Sequence, residues 1–397
     1  LPERALAQAR RADAELADGV DRGPLHGIPW GAKDLLAVAG APTTWGAVPY
    51  QEQVLDEDAT VVRRLDEAGA VLVAKLTLGA LAQGDVWFGG RTRNPWNLEQ
   101  GSSGSSAGSA SAVAAGLVPF AIGSETLGSI VSPSTRCAVS GLRPTFGAVS
   151  RHGAMALSWS MDKLGPMARN VEDLALVFEA IRGPDGLDPT VVAADFRWEG
   201  PDPALPPGLR VGVLEGAFEG EGDEGELNRS ALAALLSLGV SPVPVTLPRD
   251  LPTAALRTIL VAEAAAAFDE LTTTGRDALL VSQGAGAWPN TFRTARFIPA
   301  VEYIQANRAR TLLMRQMAEA LREVDVLVAP SFAQDLLLAT NLTGHPVVVV
   351  PSGFRGNGAA VSLSFLGKLH GEGAALALAR GWQQATGHHL ARPPGFS

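Results

Sequence analysis

Cysteine and lysine are both scarce in this 397-residue chain, and each scarcity is informative. One cysteine, Cys137, rules out an internal disulfide and any site built from several thiolates. It fits a reducing compartment and reads as a small buried hydrophobe, because no histidine lies near it in sequence. The six histidines show no metal-ligand spacing apart from the adjacent pair His388 and His389, a poor chelate. No apolar run approaches the roughly 18–20 residues of a membrane span. No secretory leader is visible, and the helical pattern already running at Leu1 points to a segment preceding it. The net charge of −9 is spread over both signs without a long basic run, which argues against nucleic acid and anionic membranes as partners. Hydrophobic residues at 46% and charged residues at 18% describe a compact protein with a large core. The expectation is a cytoplasmic monomer or homodimer with a small-molecule substrate and neither cofactor nor metal.

Lysine occurs only at positions 33, 75, 163 and 368, against 28 arginines. Arginine cannot lose its proton in a protein, whereas a desolvated lysine can. Lys33 stands in Gly27-Ile-Pro-Trp-Gly-Ala-Lys-Asp34, upstream of two serine-bearing loops, Gly101-Ser-Ser-Gly-Ser-Ser-Ala-Gly-Ser109 and Gly123-Ser-Glu-Thr-Leu-Gly-Ser129. Two hydroxyls and one neutral amine suffice for nucleophilic catalysis without histidine.

The pattern along the chain is α/β. Helices are expected over 1–18, 58–68, 109–115, 171–181, 230–238, 253–271, 301–322 and 372–386. Buried strands are expected over 70–74, 117–122, 209–214, 243–247, 325–330, 345–351 and 363–366, with a turn and short strand over 23–29. The 91–108 stretch reads as an ordered loop, and the proline-rich 201–208 stretch as a boundary.

These motifs together carry a resemblance. Residues 101–116, then Gly123-Ser-Glu-Thr-Leu-Gly-Ser-Ile130, then Gly141-Leu-Arg-Pro-Thr145, resemble the signature of the amidase signature family. The segments 147–153 and 160–166 are similar to its next block, 27–34 to its lysine motif, and 325–330 and 344–351 to its C-terminal strands. The resemblance implies one α/β domain over 1–397, a large central mixed sheet covered by helices on both faces. Core motifs would occupy 23–183, a more variable subdomain about 185–300, and 301–397 would return to the core sheet. It further implies a hydrolase of amide, anilide or carbamate bonds. Lys33 would be the base, Ser105 the bridging serine after a cis Gly104–Ser105 peptide, and Ser129 the nucleophile. The backbone N–H groups of Thr126, Leu127, Gly128 and Ser129 would form the oxyanion hole. Gly79, Ala80 and Leu81 would border the substrate.

Two departures stand out. Leu127 replaces a glycine of the family pattern, and Val131 replaces an arginine, which leaves Arg136 and Arg143 as candidates to balance Glu125. Asp162 and Arg169 read as structural pairing. Of Trp30, Trp45, Trp87, Trp159 and Trp288, most are expected in the core, with some lining a cleft for bulky neutral or aromatic substrates. Three rival readings remain. Gly104-Ser-Ser-Ala-Gly108 fits the nucleophile elbow of an α/β-hydrolase with Ser106 as nucleophile, although no buried strand precedes it. A non-catalytic binding member would keep the fold alone. A member of an amidotransferase complex, working on charged tRNA, would need a partner chain.

Overall fold

The computed structural model describes residues 1–198 and 205–396, so part of the proline-rich 201–208 boundary lies outside the described residues. Ten strands form one mixed sheet: β1 (Pro29–Lys33), β2 (Val71–Leu76), β3 (Phe120–Glu125), β4 (Ser140–Arg143), β5 (Lys163–Ala168), β6 (Val211–Leu214), β7 (Val243–Val245), β8 (Val326–Pro330), β9 (Val347–Phe354) and β10 (Ala360–Gly367). Their spatial order is β7-β6-β8-β10-β9-β4-β5-β3-β1-β2. Strand β1 runs parallel to both β2 and β3, while β5 lies antiparallel to β3 and to β4. Every residue of β3, β4, β5 and β8 is buried, as expected of strands covered on both faces. Helices Ala107–Ala114 and Val131–Arg136 contact the sheet centre, as do Val171–Ile181 and Glu372–Thr386. No helix among the described residues is long and apolar enough to cross a membrane.

Small residues bring the serine loops against the sheet. In the helix Ala107–Ala114 a Cβ on Gly108 would sit 2.5 Å from the Thr77 nitrogen. On β3, a Cβ on Gly123 would meet Ser106 Oγ at 2.8 Å. The glycines therefore permit the close approach that places the 101–109 loop beside β3.

Several sequence expectations shift. Strands β4 and β5 escape sequence reading because Ser-Gly-Leu-Arg and Lys-Leu-Gly-Pro-Met-Ala have weak strand propensity. Pro166 is tolerated in a central strand because the β4 pairing ends at Gly141↔Met167, one residue short of it. The 253–271 helix is instead a 3-10 turn Thr253–Leu256 followed by helices Arg257–Ala267 and Asp269–Thr273. The break falls at Phe268, whose buried ring packs on Phe292 and Trp45. The 91–108 loop contains a hairpin, Arg93–Asn94 with Asn97–Gly101. Strands β6 and β7, from the stretch expected to be a variable subdomain, extend the same sheet at its far edge.

Candidate active site

Strands β1 and β3 are parallel neighbours in the sheet, and β1 ends in Lys33 and β3 in Glu125. Lys33 is fully buried, and its Nζ lies 2.8 Å from Ser105 Oγ, 3.0 Å from Ser106 Oγ and 2.8 Å from Ser124 Oγ. No carboxylate touches the amine among the described residues. Burial pushes its pKa well below the ordinary lysine value, against the opposing pull of the Asp162 and Glu125 charges. The Gly104–Ser105 peptide is cis.

Hydrogen-bond accounting separates the two neighbouring serines. The Ser106 hydroxyl donates to the Ser124 carbonyl at 3.0 Å and accepts from the Ser124 N–H at 3.1 Å. With its proton committed, Ser106 can only accept from Lys33. Ser105 has no such commitment, so its hydroxyl is the one free to give a proton to a neutral amine. Nor does Ser106 follow a buried strand, since Asn97–Gly101 is an exposed hairpin strand. Ser129, nearly buried, is drawn to the loop by the Ser106 N–H donating to its carbonyl at 3.1 Å. The Ser129 hydroxyl makes no hydrogen bond among the described residues.

The turn after β3 leaves the backbone N–H groups of Thr126, Leu127, Gly128 and Ser129 without an acceptor among the described residues. Gly128 takes a φ of +83°, whereas Leu127 keeps a negative φ and packs its side chain against the core. Glu125 anchors both ends of this turn. Its Oε2 accepts from the N–H groups of Ile130 and Val131 at 2.8 and 2.9 Å. Its Oε1 accepts from Arg143 Nη1 and Asn341 Nδ2, each at 2.8 Å. Of the two candidate cations it is therefore Arg143 that balances Glu125, while Arg136 turns to Gln100 at 3.1 Å. Burial alone would raise the Glu125 carboxyl, but Arg143 and Lys163 hold it down at about 2.

Other residues here were not singled out by sequence reasoning. Ser124 contacts Lys33. Asn341 lies on the helix Leu336–Thr343 and links Glu125 to the buried Lys163, whose Nζ donates to Asn341 Oδ1 at 2.8 Å. Asp162 does not meet Arg169; it accepts from Thr126 Oγ1 at 2.5 Å, and Arg169 turns to the Val113 carbonyl. Burial raises the Asp162 carboxyl. The turn bearing Gly79, Ala80 and Leu81 runs into Gly84, whose carbonyl abuts Gly104. Leu81 itself points into the core, and it is Ala82 that lines the adjoining cavity. Cys137 is buried, with its thiol pKa pushed up by that burial.

The fold and its buried cluster of one lysine and several serine hydroxyls fit a hydrolase, and the comparisons show which family it belongs to. The family profile described as Amidase matches residues 1–338, and the chain belongs to the amidase family. One subunit of the glutamyl-tRNA(Gln) amidotransferase of Moorella thermoacetica is 36% identical over 438 residues, covering 98% of this chain and 89% of that protein. The peptide amidase of Stenotrophomonas maltophilia superposes with a TM-score of 0.85 at 34% identity, covering 99% of this chain and 89% of its own. A 6-aminohexanoate cyclic dimer hydrolase shares the fold with a TM-score of 0.83 at 22% identity, over 100% of this chain and 91% of its own.

Proposed function

We propose that the protein hydrolyses C–N acyl bonds of amides, anilides or carbamates through an acyl-enzyme on Ser129. The observation that carries this reading is the buried Lys33 amine, 2.8 Å from Ser105 Oγ and without a carboxylate contact among the described residues. The neutral amine takes the Ser105 proton, Ser105 takes the Ser129 proton, and Ser129 Oγ bonds to the substrate carbonyl carbon. The structure shows no hydrogen bond from the Ser129 hydroxyl to Ser105 among the described residues, and in this reading that bond forms once substrate is bound. The four unclaimed N–H groups of 126–129 receive the negative oxygen; one such donor contributes roughly 3–4 kcal/mol. The relay then runs backward, protonating the departing nitrogen as the C–N bond breaks. Water, deprotonated along the same path, releases the acid and restores Ser129. The two hydroxyls and the amine complete the proton balance without an external acid or base.

A panel of p-nitroanilides, carbamates and esters tests the reading. The protein cleaves members of the panel, and Ser129→Ala and Lys33→Ala each lower kcat at least about a thousandfold with the thermal transition retained. Full turnover by Ser129→Ala, with loss in Ser106→Ala, overturns it in favour of the elbow serine.

A second reading, one component of an amidotransferase complex, is favoured by the 34–36% identity to chains from such enzymes. It predicts a lone chain that becomes active only with its partner. Carbamate and amide cleavage by the purified chain alone distinguishes the two.

A further inference from the structure

Beside the site lies a cavity of about 340 Å³ whose inner end reaches Ser124, Thr126 and Asp162. Its walls are largely apolar, formed by Leu35, Met155, Leu157, Trp159 and Pro189. It is more than twice the roughly 150 Å³ that suffices to hold benzene in an apolar cavity. The charged groups at its rim are already paired. Arg151 meets Asp188 at 3.0 Å, and His152 meets Glu57 at 3.2 Å. Asp162 accepts from Thr126 and from the N–H groups of Leu157 and Ser158. A charged substituent entering here would lose its hydration without gaining a free partner.

Trp159 occupies an unusual place on this wall. Its side chain is half exposed, yet the residues around it are clamped from within the protein. Ser158 Oγ and the Ser160 N–H and Oγ all donate to the buried Glu263 carboxylate, which also accepts from Tyr303 OH at 2.9 Å. The buried Arg310 donates to Ser160 Oγ at 2.7 Å and to the Ser160 carbonyl at 2.6 Å. Arg151 Nη1 donates to the Trp159 carbonyl at 2.6 Å. Two buried ionisable groups are thus committed to fixing a four-residue loop, 157–160, whose free part is an exposed indole. A surface loop with no task needs no such anchoring, because burying charge is costly unless it is fully hydrogen-bonded.

We infer that Trp159 is a specificity-determining residue: its indole, carried on a loop that Glu263 and Arg310 fix through Ser158 and Ser160, forms the outer wall of a pocket that takes a neutral aromatic substituent of the substrate. This rests on the amide-hydrolase reading of the adjoining serines. A planar ring on the indole face gains stacking as well as burial, which an alkyl chain of equal length lacks.

The test is equilibrium binding in a Ser129→Ala background, where occupancy is read without turnover. Calorimetric titration compares phenylacetamide with cyclohexylacetamide, and N-benzylacetamide with N-(cyclohexylmethyl)acetamide, so an aryl group and an alkyl group of equal length are presented from either side of the carbonyl. Trp159→Ala weakens the preferred aryl amide roughly tenfold relative to its alkyl counterpart, and Trp159→Phe restores most of that ratio. Unchanged ratios in both pairs, or equal weakening of aryl and alkyl members, overturn the inference. If Ser129→Ala still turns substrate over, the catalytic reading falls, while a surviving aryl ratio keeps the role of Trp159.

Discussion

Lys33 works, in the proposed relay, because its amine is uncharged, and that follows from burial among hydroxyls rather than carboxylates. The sign of the pH dependence follows. As pH falls through the depressed Lys33 value the amine takes a proton and kcat declines, so the rate profile has an acid limb assigned to a base. A kcat that rises on acidification contradicts this. Glu125 carries the opposite sign. Its carboxyl titrates at about 2 in the folded protein, below the ordinary 4.5, so its stabilisation is complete above about pH 4.5 and drains away as pH falls toward 2. Glu125→Gln leaves Arg143 buried without its anion, and chemical denaturation at neutral pH should register a loss of about 3–5 kcal/mol. A loss below 1 kcal/mol would show that Arg143 finds another partner. Much of this chemistry is legible in the sequence. The scarcity of lysine and the two serine loops draw attention to the region, and it is the family resemblance that implies Lys33, Ser105 and Ser129 in particular. Composition alone leaves Ser105 and Ser106 alike, since it does not say which hydroxyl gives its proton to the Ser124 carbonyl, as Ser106 does in the structure.

At the scale of elements, the site depends on backbone approaching backbone. A Cβ on Gly104 would fall 1.9 Å from the Gly84 carbonyl oxygen and 2.5 Å from its carbon, a clash no rotamer relieves. Gly104→Ala should lower stability by roughly 1–3 kcal/mol, and kcat more than tenfold, because the 101–109 loop must shift from Lys33. A thermal melt and kinetics check this; wild-type values in both would refute the account of the loop. The helices Val171–Ile181 and Glu372–Thr386 match their expected bounds because their apolar periodicity is long and cleanly ended. Strands β4 and β5 were illegible because glycine and proline suit them only once their neighbours are in place. Asn341 was illegible for the same reason: its bond to Glu125 spans 216 residues of sequence.

At the scale of the whole molecule, one sheet gathers strands from residue 29 to residue 367, with β6 and β7 continuing its edge. The reading of 1–397 as one domain that we propose rests on that continuity. In the reading we propose, the chain carries its own base, bridging serine and nucleophile, and needs no second polypeptide for amide hydrolysis. Size-exclusion fractions of the purified protein should therefore hold the amidase activity in the peak of this chain alone. Activity that appears only on adding a second chain would favour the amidotransferase reading. The most direct test of the central claim is mapping where a serine-directed sulfonyl fluoride attaches, by peptide mass analysis of wild type and Lys33→Met. The account predicts an adduct on Ser129 that forms at least a hundredfold more slowly in Lys33→Met. An adduct on Ser106, or equal labelling of Ser129 in both proteins, would contradict it.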